Sequence, residues 1–150
     1  MTIRKNRIFL SILAILAALI IAPYFKLWLG QQFNFVLAAI IASIFFLEFS
    51  EFLIVLFFGL VFLVWQPMPD FSFIILILLP IGAFFAKYYL PFKRGLNFFV
   101  DLSLVFIAFY LLESWKFLIN HPLIFVLDFI ISFLFGSLIF SVLYYFDSSR

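Results

Sequence analysis

Residues 76–99 read LILLPIGAFFAKYYLPFKRGLNFF. One apolar run ends, a basic knot of Lys87, Lys93 and Arg94 follows, and a second apolar run begins. The rest of the chain repeats this pattern of apolar runs parted by short polar joints. Of its 150 residues, 69% are hydrophobic and only 11% are charged. A soluble domain is about half apolar and about a quarter charged, so it could not hide this much apolar surface. Runs of about 18 or more apolar residues read as membrane spans, and in lipid the backbone must satisfy its own hydrogen bonds. These facts predict an all-α integral membrane protein of about six transmembrane helices, forming a single polytopic domain over 1–150.

The expected spans are 8–25, 33–47, 52–65, 71–90, 98–112 and 123–146. Arg4, Lys5 and Arg7 precede the first, which also resembles a signal peptide. Cleavage after Ala22 would put Pro23 beside the cut and Ile20 three residues before it, so the run is expected to remain as a span. One helix over 33–65 would be about 50 Å long, well beyond the ~30 Å hydrocarbon core. The EFSE segment at 48–51 is therefore expected to turn the chain. The third run is short, so runs two and three either both span or form a re-entrant hairpin. QPMPD at 66–70 is the clearest break. Pro80 is expected to kink the fourth helix, with Gly82, Ala83 and Ala86 setting the bend against a close neighbour. ESWKFLINHP at 113–122 is the longest polar-leaning connection, and 147–150 is a polar tail.

Orientation follows from counting cations. Six spans with an inside N-terminus place Arg4, Lys5, Arg7, Lys87, Lys93, Arg94 and Arg150 inside, and Lys26 and Lys116 outside. Seven against two is a positive-inside pattern, with both termini cytoplasmic. A re-entrant hairpin would leave that parity unchanged.

Few residues are candidates for chemistry. There is no cysteine, which removes disulfides, thiolate metal sites and a cysteine nucleophile. His121 is the single histidine and stands in a loop-like NHP. No serine, histidine and acid form a recognisable triad motif, and neither a P-loop nor a GxGxxG is present. A formal charge of +2 gives no case for nucleic acid. No catalytic site, cofactor or metal is expected. Asp128 is the strongest polar candidate, because an acid within a span is costly and usually faces the bundle interior, a partner or a pathway. Ser132 and Gly136 share its face. Asp101 is expected in the first turn of its helix, where a carboxylate suits the helix dipole. Glu48 and Glu51 read as solvated turn residues or a docking contact. Ser11, Ala14, Ala18 and Ala22 recur at helical spacing. Such a stripe allows close approach of another helix, either within the bundle or on a partner subunit.

In layout, the chain resembles the rod-shape-determining protein MreD family. The resemblance rests on the basic N-terminus with its first span, the short second run, EFSE, and the third run FLIVLFFGLVFLVWQP. It continues through LLPIGAFFAKYYLPFKRGLNFF and the proline-started HPLIFVLDFIISFLFGSLIF. WQPMPD stands where many members carry a glycine-rich, aspartate-containing segment. The resemblance implies a non-enzymatic scaffold, multi-pass in the cell inner (plasma) membrane, of the bacterial cell-shape and cell-wall elongation (peptidoglycan synthesis) machinery. Its implied partners are an MreC-like protein and an actin-like filament inside the cell. It also implies a bundle similar to the substrate-binding S components of energy-coupling-factor (ECF) transporters. That similarity supplies the alternative, since such subunits dock a partner through a small-residue face, which Ala14, Ala18 and Ala22 match. A small ion- or proton-coupled transporter using Asp128 is the third possibility.

Overall fold

The computed structural model of the protein describes residues 2–29, 34–64 and 70–148. Among these the chain is all helical, with no strand. Six helices follow one another: α1 (Thr2–Leu29), α2 (Phe35–Ile44), α3 (Phe49–Val64), α4 (Asp70–Tyr89), α5 (Arg94–Asn120) and α6 (Pro122–Ser148). Three of them carry stretches long and apolar enough to cross a membrane, at Asn6–Tyr24, Arg94–Leu112 and Pro122–Ser148.

The helices are very unequal. At 1.5 Å per residue, α1, α5 and α6 are about 40 Å long, whereas α2 is about 15 Å. All ten residues of α2 are buried. The sequence FVLAAIIASI has no polar face to offer, and the fold gives it none. A helix apolar all round belongs in the middle of a bundle. The other five helices surround α2 and bury inward faces such as Phe52 and Val55 of α3, Phe84 of α4 and Phe98, Leu102 and Phe106 of α5. Their outward faces carry large apolar side chains, including Phe57 on α3, Leu78 on α4 and Leu134 on α6. Aromatic rings fill the core around the end of α2. Phe98 stacks on Phe140 with centroids 4.4 Å apart, and Phe46 lies 5.2 Å from Phe140.

Close approach of α2 and α6 depends on small residues. Asp128, Ser132 and Gly136 are all buried on one face of α6. A Cβ at Gly136 would lie 3.2 Å from Leu102 Cδ2 and 3.4 Å from Ala38 Cβ. Gly136→Leu is expected to drive α6 away from α2 and to cost about 2–3 kcal/mol of stability. Thermal unfolding in detergent checks this, and an unchanged midpoint would show that α6 is not tightly seated there.

Several boundaries differ from the sequence expectation. The turn after α2 occupies Phe45 to Glu48, and Phe49 already opens α3. The expected long connection at 113–122 is instead helical to Asn120, leaving only His121 between α5 and α6. ESWKFLI contains no helix breaker; the first is Pro122, which forces the residue before it out of the helical region. Pro122 then takes the first position of α6, where its missing N–H costs nothing. His121 carbonyl oxygen accepts from the Ile124 and Phe125 amides. The 147–150 tail is partly helix too, since α6 runs to Ser148. Pro80 sits inside α4 without ending it. Ala83 is buried there, but Gly82 is exposed and a Cβ added to it would meet nothing within 4 Å, so no neighbour presses on that glycine. Residues 66–69 of the QPMPD break lie outside the described residues; its last residue, Asp70, starts α4.

Candidate functional site

The polar side chains gather at the two ends of α2. This follows from its burial: a helix leaves unbonded N–H groups at its start and unbonded C=O groups at its finish. Away from water each such group costs energy unless another part of the chain meets it.

At the N-terminal end the partner is Asp128 of α6, only 3% exposed. Its Oδ1 accepts the backbone N–H of Asn34 at 3.3 Å and the Ser132 hydroxyl at 2.9 Å. Its Oδ2 accepts the Asn34 side-chain amide at 3.1 Å and the Tyr110 hydroxyl of α5. The Asn34 amide also reaches the Tyr110 oxygen at 3.3 Å. The carboxylate therefore accepts four hydrogen bonds, and it lies where the α2 dipole is positive. It acts as an N-cap supplied from another helix.

At the C-terminal end three cations meet the carbonyls. Lys87 of α4 donates to Ile44 O at 2.7 Å and Leu47 O at 3.2 Å. Arg94 of α5 donates to Phe45 O through Nε at 3.1 Å and also through Nη2. Arg7 of α1 donates to Phe46 O at 3.4 Å. Aromatic faces support two of these cations: Lys87 Nζ is 3.8 Å from the Phe84 ring centre and Arg94 Cζ is 4.2 Å from that of Phe46. Asp147 of α6 ties the arginines together, 2.5 Å from Arg7 Nη2 and 2.8 Å from Arg94 Nη1. Asn97 closes the adjoining turn, donating to Leu90 O and accepting from Phe92 N, each at 3.1 Å.

The sequence candidates thus take definite places. Asp128 and Ser132 belong to the first cluster. Asp101 is not in the first turn of α5, which begins at Arg94; it lies two turns in, 1% exposed, and its Oδ2 makes no hydrogen bond among the described residues. Lys87 is within its electrostatic reach. Glu51 is not solvated: it is 4% exposed, and its Oε2 accepts the Glu48 backbone N–H at 3.0 Å. That bond is half of a capping box at the start of α3, which explains the turn at EFSE. Glu48 is exposed. Ala18 is wholly buried inside the bundle, with Ser11 and Ile15, while Ala14 and Ala22 are half-buried against the core. Glu113 and Lys116 have side chains outside the described set. Two features do not follow from the sequence: the role of Asp147, which reads there as a tail residue, and the bonding of Lys87, Arg94 and Arg7 to carbonyls at 44–47.

Among the described residues no three His, Cys, Asp or Glu side chains lie together as a metal site. Asp128 and Asp147 are each occupied by donors from other helices, and their evident work is to hold helices in place. Comparison with known proteins gives no match, whether to protein-family models, to curated proteins or to solved structures.

Proposed function

We propose that this chain is a multi-pass protein of the bacterial inner membrane, with both termini cytoplasmic, and that it acts as a non-enzymatic scaffold in a cell-wall elongation complex, as MreD-like proteins do. The observation that carries the non-enzymatic part is the use of the charges around α2. The buried Asp128 meets its start, and the partly exposed Lys87, Arg94 and Arg7 meet its end and the turn that follows. Such a molecule has its outer surface, rather than an internal site, to offer a partner. The orientation is supported by the gathering of Arg7, Lys87 and Arg94 at one end of the bundle, which the positive-inside tendency sets in the cytoplasm. The cell-wall assignment rests on the layout of the sequence, and its partners would be an MreC-like protein and an actin-like filament.

Burial of Ala18 moves the expected contact on α1 to its exposed side, where Phe9 is 64% and Leu13 50% exposed. The test is photocrosslinking in native membranes, with a photoreactive residue at Leu13 and, separately, at Phe57 on α3. Capture of an MreC-like protein or other elongation components is the expected result. Capture of a transporter coupling subunit with its ATPases would overturn the scaffold in favour of a substrate-binding subunit. Asp128-dependent uptake of protons or cations by vesicles holding the purified chain would overturn it in favour of a transporter.

A further inference from the structure

A cleft of about 260 Å³ opens between the start of α1 and the end of α6. Its lining is ordered by depth. Asn6, Arg7 and Asp147 stand near the helix ends, and Leu10 and Leu143 come one turn further in, with Phe46 and Phe146 completing the wall. The polar rim and apolar floor match a molecule with a charged head and a hydrocarbon tail.

The charge of the rim selects the head. Two guanidinium groups, Arg7 and Arg94, face the single carboxylate of Asp147, leaving one positive charge over. Arg7 is 41% exposed at its side chain. Among the described residues its guanidinium gives one N–H to Phe46 O and forms an ion pair with the Asp147 carboxylate. A guanidinium carries five N–H donors in a fork that suits a phosphate. The same end of the bundle gathers the basic residues that face anionic headgroups when a helical protein sits in a bilayer.

We infer that this cleft binds an anionic phospholipid of the surrounding leaflet, its phosphate at Arg7 and its acyl chain along Leu10 and Leu143. The inference rests on the membrane reading of the fold but not on the scaffold role. The bound lipid bridges α1 and α6 at the end where Arg7 and Asp147 already join them.

The experiment is native mass spectrometry of the purified chain in detergent, titrated with phosphatidylglycerol, phosphatidylcholine or inorganic phosphate. Phosphatidylglycerol is expected to bind best, and Arg7→Ala to weaken it about five- to tenfold, given roughly 1 kcal/mol per basic residue near a headgroup. Asp147→Asn keeps both arginines and removes the competing carboxylate, so it is expected to tighten binding. Leu143→Trp fills the apolar floor and is expected to weaken binding without touching a charge, which keeps the test independent of the Arg7–Asp147 bridge. Equal affinity for the two lipids, or no change in all three variants, would overturn the inference. Displacement of the lipid by inorganic phosphate at equal concentration would overturn it too, since the site would then recognise a free anion. Failure of the crosslinking test for a scaffold would leave these lipid results untouched.

Discussion

Asp128→Ala is expected to lower the unfolding free energy by on the order of 3–5 kcal/mol, taking about 1 kcal/mol for each interhelical hydrogen bond in a membrane. The substitution strands the Asn34 backbone N–H, the Asn34 amide and the Tyr110 hydroxyl, all drawn to this carboxylate from α5 and from the residue before α2. Ser132 suffers least, because a helical hydroxyl can turn back to a carbonyl of its own helix. Asp128→Asn keeps an acceptor of the same shape and is expected to lose only about 1–2 kcal/mol. The contrast separates the roles. A capping group tolerates asparagine, whereas a group that must take up and release a proton does not. Steric trapping in bicelles measures both variants. An alanine variant that loses less than asparagine, or a transport activity abolished by asparagine, would remove the capping account.

The second large effect belongs to Lys87→Met, with an expected loss of about 3 kcal/mol, the lower end of the range for two hydrogen bonds from a charged group. The ammonium serves Ile44 O and Leu47 O together, and methionine fills the stem without serving either. It also leaves the buried Asp101 carboxylate without its nearby cation. Asp101→Asn in the same chain is therefore expected to restore about 1 kcal/mol, read as a coupling energy in a double-mutant cycle. Strict additivity would mean that Lys87 and Asp101 act independently. Lys87→Arg should not rescue fully, since a planar fork does not replace a compact ammonium between two carbonyls.

Much of the architecture was legible because hydrocarbon-compatible segments have to be long, apolar and parted by polar joints. The apolar runs, the turn near EFSE and the face shared by Asp128, Ser132 and Gly136 all follow from helical spacing. The extent of each helix was less legible. Polarity marks where a segment leaves an apolar surrounding, not where its hydrogen bonds stop. ESWKFLI is polar enough to read as a connection, yet it contains nothing that breaks a helix. Asp101 was misplaced for the same reason, since α5 starts at Arg94 rather than at the first apolar residue. The candidate site was legible only in part. A rare acid within an apolar run announces itself, so Asp128 stood out, but its partners Asn34 and Tyr110 are 94 and 18 residues away. The cation ring could not be read from the chain because its acceptors are main-chain carbonyls, which every residue possesses. Asp147 gave no sign, since its value lies in standing opposite Arg7 and Arg94 once α1, α5 and α6 are packed.

The central position of α2 also bears on how the chain is made. Asn34 leaves the ribosome long before Asp128, and the groups that meet the two ends of α2 come from α1, α4, α5 and α6. During synthesis α2 is a ten-residue apolar segment, about 15 Å long, without the carboxylate that caps its start. Its start cannot be capped until α6 has been made. Biogenesis of this bundle is therefore late-closing.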